Sequence, residues 1–237
     1  HYSSLRHKKY REENGCYLAE GVKLVTEAIR SGQSVEAIIG TAAGFAKMHG
    51  LPYGDFTCYV TDGKGLGQLS GQTTPEGLVA VVRINRVAFA VVGPAFLVWR
   101  LNDPGNLGTL LRTADWFGFS AIYADSETVE VYNPKVVQSS KGAVFRTPVH
   151  YVADFLDFVA AHQARVAAAV LHGAALNNHA LSGRDWLLLG NESSGLPPEL
   201  LSLPDIAQVT IPGAGRADSL NVGVAGGILA YEWLREQ

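Results

Sequence analysis

The chain has 237 residues, 47% hydrophobic and 17% charged, so it can bury a sizeable core and is too apolar to be disordered. Its formal net charge of −3 disfavours a protein that coats nucleic acid over its whole surface. No apolar run reaches the roughly 18 residues of a membrane span, and the two cysteines are far apart in the sequence. We therefore expect no membrane segment, no disulfide framework and no metal site. The N-terminal stretch lacks the apolar core of a signal peptide, which favours a cytoplasmic protein.

The first 83 residues predict a small α/β domain in which helices and strands alternate. We predict strands at 17–20, 35–39, 56–60 and 78–83, helices at 3–13, 21–30 and 42–49, and a helical turn at 65–69. Residues 84–94 are predicted to be a junction that includes a strand near 87–92.

Residues 95–237 predict a second α/β domain, and its strand-turn-helix-strand order implies parallel pairing. Strands are predicted at 96–101, 120–124, 148–152, 165–171, 186–190 and 207–211. Helices are predicted at 107–117, from 134 towards 145, at 154–162, briefly after 197, and at the C-terminus. Asp218 or Ser219 is expected to cap the last helix, which is apolar or small almost all round and is therefore predicted to be buried.

Four loops of the second domain carry unusual polar chemistry, namely 102–112, 139–143, 190–195 and 213–221. In an open parallel sheet, ligands bind beyond the carboxyl ends of the strands, and three of these loops directly follow apolar strands. None contains an intact G-x-G-x-x-G or a G-x-x-x-x-G-K-[ST] motif, so dinucleotide and P-loop sites are disfavoured. The sequence also has no H-E-x-x-H or G-x-S-x-G motif, which removes support for a zinc hydrolase or a serine hydrolase.

Three segments resemble the ordered motifs of the SpoU/TrmH branch of the SPOUT RNA methyltransferases. They are N-D-P-G-N-L-G-T-L-L-R-T-A-D-W-F-G at 102–118, L-L-G-N-E-S-S-G-L at 188–196, and I-P-G-A-G-R-A-D-S-L-N-V-G-V-A at 211–225. The likeness spans about 96–237. Residues 1–83 more loosely resemble the L30e-like substrate-binding domain that many members carry.

The resemblance implies a mostly parallel sheet with helices on both faces, a trefoil knot and a homodimer. It also implies S-adenosyl-L-methionine as the methyl donor and a ribose 2′-hydroxyl of ribosomal or transfer RNA as the acceptor, with ribosomal RNA favoured. The positions that match cofactor-binding residues of the family are Leu171, Gly190, Asn191, Glu192, Gly195, Ile211, Pro212, Gly215, Ser219, Leu220 and Asn221.

The positions that match catalytic residues of the family are Asn106, Arg112, Glu192, Ser219 and Asn221. Arg112 is implied to help deprotonate the ribose hydroxyl. Because a neutral guanidine is costly near pH 7, we instead interpret Arg112 as a group that orients the RNA and stabilises the alkoxide, and the proton acceptor stays open. Capping of helices remains an alternative role for Asn106 and Ser219.

The candidate RNA contacts are basic residues on three segments, and they are Arg6, Lys8, Lys9, Arg11, Arg112, Lys141 and Arg146. A solvated N-terminal arm remains the alternative for the first four. Two positions depart from the family pattern. Gly213 stands where the family often has Met, and Lys141 stands where the family often has a small residue. Two rival functions also remain open at this point: a catalytically silent RNA-binding or assembly protein with the same fold, and a nucleotide-dependent oxidoreductase.

Overall fold

The computed structural model describes residues 2–48, 56–72, 74–176 and 180–237. These residues form two compact units. The first comprises His1–Ala88 and Glu130–Arg146, and the second comprises Phe89–Val129 and Thr147–Gln237. None of the described helices is both long enough and apolar enough to cross a membrane.

Strands and helices mostly alternate along the described residues. The strands are β1 (Cys16–Glu20), β2 (Val35–Gly40), β3 (Thr57–Val60), β4 (Leu78–Arg83), β5 (Ala95–Val98), β6 (Ala121–Asp125), β7 (Val149–Val152), β8 (Val166–Ala175), β9 (Trp186–Leu189) and β10 (Ala207–Thr210). The α-helices are α1 (Lys8–Asn14), α2 (Val22–Arg30), α3 (Ala42–Phe45), α4 (Gly63–Leu69), α5 (Pro104–Phe117), α6 (Pro134–Ser140), α7 (Phe155–Ala161), α8 (Pro198–Leu201) and α9 (Val222–Arg235). Short 3₁₀ helices lie at Tyr2–Arg6, Ala143–Phe145 and Gln163–Arg165. Among the described elements, the exceptions to the alternation are that β4 is followed by β5 and β8 by β9.

The first unit is built on a four-stranded sheet in the order β1-β4-β2-β3. Strand β4 is antiparallel to both of its neighbours, whereas β3 lies parallel to β2 at one edge. Apolar side chains of β1 and β4 pack with α2 on one face of this sheet. The single helix predicted at 3–13 is instead a 3₁₀ helix followed by α1, and α3 ends at Phe45, although we predicted a helix to 49. Residue 49 lies outside the described residues.

The segment Glu130–Arg146 belongs to the first unit although it comes from the middle of the chain. Asn133 caps α6 and Pro134 occupies its first turn, as the Asn-Pro pair predicts. The helix stops at Ser140 because Lys141 adopts a left-handed conformation with φ of 51°, so the helix predicted to run towards 145 is shorter. Val137 joins the buried core formed with Tyr17 and Leu78. The boundaries predicted from the sequence, 1–83 and 95–237, place this segment in the second domain. Those boundaries stay a proposal.

The second unit contains a six-stranded sheet in the order β10-β8-β9-β5-β6-β7, and every pairing in it is parallel. One face is covered by α7 and α8, which pack on Leu97, Tyr123 and Trp186. On the other face α5 packs against α9, where a Cβ atom on Gly226 would lie 2.4 Å from Leu110 and 3.2 Å from Leu189. The α/β class and the mostly parallel sheet are therefore confirmed.

The strand predicted near 87–92 is wrong, because these residues have no regular secondary structure. Residues 89–92 instead pack against aromatic side chains of the second unit, to which they belong. The Tyr123 hydroxyl donates to the Ala90 carbonyl at 2.7 Å and accepts the Val92 N–H at 2.8 Å. Phe89 contacts the rings of Tyr123 and His150. Burial lowers the pKa of His150 and raises the pKa of Tyr123, so both groups are uncharged at neutral pH.

Candidate functional site

Side chains from the three motif segments form one chain of hydrogen bonds. The Asn221 amide donates to the side-chain oxygen of Asn106 at 2.9 Å. The Asn106 amide in turn donates to Glu192 at 3.0 Å. Because each partner comes from a different segment, this chain holds the start of α5, the loop after β9 and the start of α9 together.

Glu192 also holds the loop that precedes α5. Its two carboxylate oxygens accept the backbone N–H groups of Asp103 at 3.2 Å and Asn102 at 3.4 Å. Asp103 itself caps α5 by accepting the Asn106 N–H at 2.9 Å, and Pro104 follows in the first turn. The alternative that Asn106 caps this helix is therefore wrong. The Asp-Pro pair was the sequence signal for the true cap.

The loop after β9 is a tight turn organised by Asn191. Its side-chain oxygen accepts the N–H groups of Ser193 at 2.9 Å and Ser194 at 3.0 Å, and its amide donates to the Arg100 carbonyl at 2.6 Å. Gly195 has φ of 66° and pairs with Asn191 in an isolated bridge. A Cβ atom on Gly190 would lie 2.5 Å from the carbonyl carbon of Gly195, so only glycine fits there.

The third loop spans 211–221 and is exposed from Pro212 to Asn221. Asn221 caps α9 by accepting the N–H groups of Gly223 at 2.9 Å and Val224 at 3.3 Å. The prediction that Asp218 or Ser219 caps this helix is therefore wrong. The predicted burial of the helix all round is also wrong, because Val224 is 51% exposed and Tyr231 is 55% exposed.

The end of β10 lies beside an irregular part of β8. Gln208 pairs with Ala168, but the next residue, Val209, pairs with Ala174. The Thr210 hydroxyl donates to the Leu171 carbonyl at 3.0 Å, and the Leu171 side chain is 62% exposed. The structure thus brings Leu171 close to Thr210, immediately before Ile211, Pro212 and the glycines of the third loop.

Arg112 lies on the exposed side of α5, six residues after the buried Asn106. The hydrogen-bonded chain therefore fixes the N-terminal end of α5, and the guanidinium lies on the solvent side of the same helix. The guanidinium is therefore accessible from solvent.

The candidate RNA contacts of the first unit differ in how accessible they are. Arg6, Lys141 and Arg146 are exposed, and Lys8 and Lys9 make exposed pairs with Glu12 at 3.7 Å and Glu13 at 3.8 Å. Arg146 is also bonded to Glu27. Arg11 is only 2% exposed. Its guanidinium donates to the Glu130 carboxylate and to the Leu5 carbonyl, so the structure does not support Arg11 as an RNA contact and assigns it to the core of the first unit.

Within the part of the chain that the structure describes, no group of three or more His, Cys, Asp or Glu side chains could hold a metal ion. Cys16 is buried and Cys58 is exposed, and both are free thiols.

Comparison with protein-family models matches residues 94–231 to the SpoU rRNA Methylase family. The chain belongs to this family. Residues 1–80 match the MRM3-like substrate binding domain. The resemblance of the three motif segments to SpoU/TrmH proteins is thereby confirmed.

Individual relatives agree with the family match. The chain is 30% identical over 233 residues to the 23S rRNA (guanosine(2553)-2'-O)-methyltransferase RlmP of Bacillus subtilis, covering 97% of this chain and 93% of RlmP. A TrmH-family structure from Porphyromonas gingivalis has 34% identity and a TM-score of 0.83, covering 100% of this chain and 96% of that one. The AdoMet-bound rRNA methyltransferase from Sinorhizobium meliloti has 31% identity and a TM-score of 0.81, covering 99% and 92% of the two chains.

Proposed function

We propose that this protein transfers a methyl group from S-adenosyl-L-methionine to a ribose 2′-hydroxyl of ribosomal RNA. The observation that carries the proposal is the hydrogen-bonded chain Asn221–Asn106–Glu192, which joins the three family motifs at the carboxyl edge of a parallel sheet. Two relatives of this chain are named as 23S rRNA 2′-O-methyltransferases, which supports ribosomal RNA over transfer RNA.

The irregular part of β8 and the loops after β9 and β10 fit a nucleoside cofactor that lacks phosphates. They offer exposed backbone at 212–221, the constricted turn at Gly190 and the exposed Leu171 side chain. The second unit has 6 Lys and Arg against 13 Asp and Glu, a net charge of −7. Such a charge favours a cationic sulfonium and disfavours a polyphosphate. The proposed cofactor contacts are Leu171, Gly190, Asn191, Glu192, Gly195, Ile211, Pro212, Gly215, Ser219, Leu220 and Asn221.

S-Adenosyl-L-methionine supplies an already activated methyl group, so the protein has mainly to align the ribose oxygen and stabilise its developing charge. Arg112 is proposed to bind the phosphate of the target nucleotide and to stabilise the alkoxide. Ser219 and Asn221 are proposed to line the reacting centre, and Asn106 and Glu192 hold Asn221 and the loop before α5 in place.

Calorimetry with S-adenosyl-L-methionine and with NAD tests the cofactor. We expect saturable binding of S-adenosyl-L-methionine and no binding of NAD. Binding of NAD alone would instead support an oxidoreductase.

The first unit is the proposed RNA-docking part of the protein. It carries 13 Lys and Arg against 9 Asp and Glu, a net charge of +4, in contrast to the acidic second unit. Exposed ion pairs such as Lys8–Glu12 contribute little to stability, so an RNA phosphate can replace the carboxylate. Lys141 and Arg146 lie in the same unit and complete the proposed set.

We expect the triple variant Arg6→Gln, Lys8→Gln, Lys9→Gln to bind RNA more weakly and with a smaller salt dependence. Each lost phosphate contact should lower the slope of log K against log salt by about 0.7–0.9. Filter binding of ribosomal RNA over a range of salt concentrations measures this slope. Arg235→Gln, in the second unit, is the control with unchanged slope, and equal slopes in the triple variant and the parent would contradict the assignment.

A trefoil knot and a homodimer remain proposals that the family resemblance implies, and a cytoplasmic location also remains a proposal. The dimer is supported by an apolar surface on the second unit that is exposed to solvent in the single chain. Its members are exposed by 49–84%, and they are Val224, Tyr231, Leu234 and, on the neighbouring helix α5, Trp116. Exposed apolar side chains on two helices that pack together are typical of protein interfaces.

The double variant Val224→Glu, Leu234→Glu should be monomeric, because it places two carboxylates in the proposed interface. Sedimentation velocity measures the change. Val60→Glu is the matched control, since Val60 is 72% exposed but lies in the first unit. A double variant that sediments like the parent dimer would show that this surface is not the interface.

A further inference from the structure

The second unit contains a cavity of about 310 Å³ that none of the motif residues line. It lies at the carboxyl ends of β5, β6 and β7, next to the loop that leads into α5. Pockets for complete small molecules span roughly 300–1,000 Å³, so this one suits a single ring system. The lining side chains with functional chemistry are Trp99, Arg100, Asp125, Glu127, Asp154 and Asp157.

One wall of the cavity combines an indole and a guanidinium. The guanidinium carbon of Arg100 lies 4.8 Å from the ring centroid of Trp99. Trp99 is itself backed by Phe155, with ring centroids 5.7 Å apart. Aromatic rings and guanidinium planes are the surfaces on which proteins stack unpaired RNA bases.

Both backbone polar groups of Arg100 are hydrogen-bonded. Its N–H donates to Asp125 at 2.7 Å, and its carbonyl accepts from Asn191 of the second motif segment at 2.6 Å. Its side chain pairs with Glu127 at 2.8 Å. The cavity wall is thus joined directly to the loop that carries Glu192.

The lining favours a ligand with N–H donors and disfavours a phosphate, because it has four carboxylates and one cation. The Asp125 carboxylate already accepts from Arg100, Glu127 and Thr128. Asp154 accepts no capping hydrogen bond from the helix that follows it. Asp154 and Asp157 are therefore the acceptors that a ligand would use.

The sheet divides the two candidate sites between its halves. The proposed cofactor contacts lie in β8 and in the loops after β9 and β10, whereas the cavity lies beyond β5, β6 and β7, and the two halves meet where β9 pairs with β5. Open α/β sheets bind their ligands on either side of such a switch point. The cavity therefore lies on the half of the sheet that has no proposed cofactor contacts and is available to the RNA that accepts the methyl group.

We propose that this cavity takes an unstacked nucleobase of the RNA substrate and favours guanine. Guanine offers adjacent N1–H and N2–H donors, which suit the carboxylate of Asp154 or Asp157. The base stacks on the wall formed by Trp99 and Arg100, and its phosphate stays outside. The identification of the ligand as RNA rests on the proposed function.

Ligand-observed NMR with guanosine, adenosine, cytidine and uridine tests the cavity directly. Saturating S-adenosylhomocysteine is present so that it occupies the proposed cofactor site. We expect guanosine to bind most tightly, and the double variant Asp154→Asn, Asp157→Asn to weaken its binding at least fivefold. The control is Glu199→Gln, Asp205→Asn, which removes the same charge from exposed sites of the second unit outside the cavity and should bind guanosine like the parent.

A second measurement separates this proposal from the proposed function. With ribosomal RNA as substrate, the Asp154→Asn, Asp157→Asn variant should raise the KM for RNA at least fivefold and leave the affinity for S-adenosyl-L-methionine unchanged. Absence of guanosine binding, equal binding of all four nucleosides, or equal guanosine binding by variant and parent would overturn the cavity assignment. Guanosine binding by a protein that fails to bind S-adenosyl-L-methionine would overturn the proposed function and leave the cavity assignment standing.

Discussion

Replacing Arg112 by alanine should lower the rate of methyl transfer by about 100-fold to 1,000-fold, the range found when a charge-stabilising donor is removed from an active site. The guanidinium lies on the exposed side of α5, outside the hydrogen-bonded chain from Asn221 to Glu192. The variant should therefore fold normally and bind S-adenosyl-L-methionine with parental affinity. Single-turnover transfer to ribosomal RNA measures the rate, and calorimetry measures the affinity.

Arg112→Lys is the informative companion of this variant. Lysine keeps the positive charge but loses the planar, bidentate contact with phosphate, so an intermediate rate is expected. Thr113→Ala, at the adjacent position on α5, is the control and should react like the parent. Unimpaired transfer by Arg112→Ala would remove Arg112 from the catalytic set.

Replacing Gly190 by alanine should lower the affinity for S-adenosyl-L-methionine at least tenfold. The added methyl group would lie 2.5 Å from the carbonyl carbon of Gly195 and 2.8 Å from the N atom of Leu196, and backbone atoms cannot rotate away as a side chain can. The turn that carries Asn191 and Glu192 must then shift, and the contacts of Glu192 with Asn106 and Asp103 are disturbed. Calorimetry and thermal unfolding together separate loss of binding from loss of fold.

Gly213→Ala is the matched control for Gly190→Ala. A Cβ atom on Gly213 meets no heavy atom within 4 Å, and its φ is not in the left-handed region. The affinity for S-adenosyl-L-methionine should therefore be unchanged. Equal affinities in Gly190→Ala and Gly213→Ala would show that the turn after β9 does not shape the cofactor site. Gly213→Met introduces the residue that the family often has at this position. It tests whether a larger side chain narrows the proposed cofactor site.

The elements that could be predicted from the sequence are those whose signal is local. The Asn133-Pro134 pair marks the start of α6, and Gly118 adopts the left-handed conformation that ends α5. The alternating apolar residues Val87, Phe89 and Val91 fit a strand equally well, yet they form none. The backbone of Ala90 and Val92 bonds to the Tyr123 hydroxyl instead, and no periodicity in the sequence reveals such a partner.

The motif segments identified the residues of the site but not the contacts among them. Asn106, Glu192 and Asn221 were named from the resemblance, whereas their mutual hydrogen bonds depend on tertiary packing across 86 and 115 residues of chain. The same limit explains Arg11, which appears in the sequence as part of a basic arm. Its partner, Glu130, is 119 residues away, so the buried ion pair has no local signature.

Methyl transfer to ribosomal RNA, mapped by resistance to alkaline cleavage, is the most direct test of the proposed activity. Ribosomal RNA from cells that lack the gene is incubated with the protein and radiolabelled S-adenosyl-L-methionine. A methylated ribose 2′-oxygen can no longer attack the adjacent phosphate, so the linkage after the target nucleotide should resist alkali. We expect one such resistant, labelled linkage. Label on a base with normal alkaline cleavage, or no transfer by a protein that binds the cofactor, would contradict it.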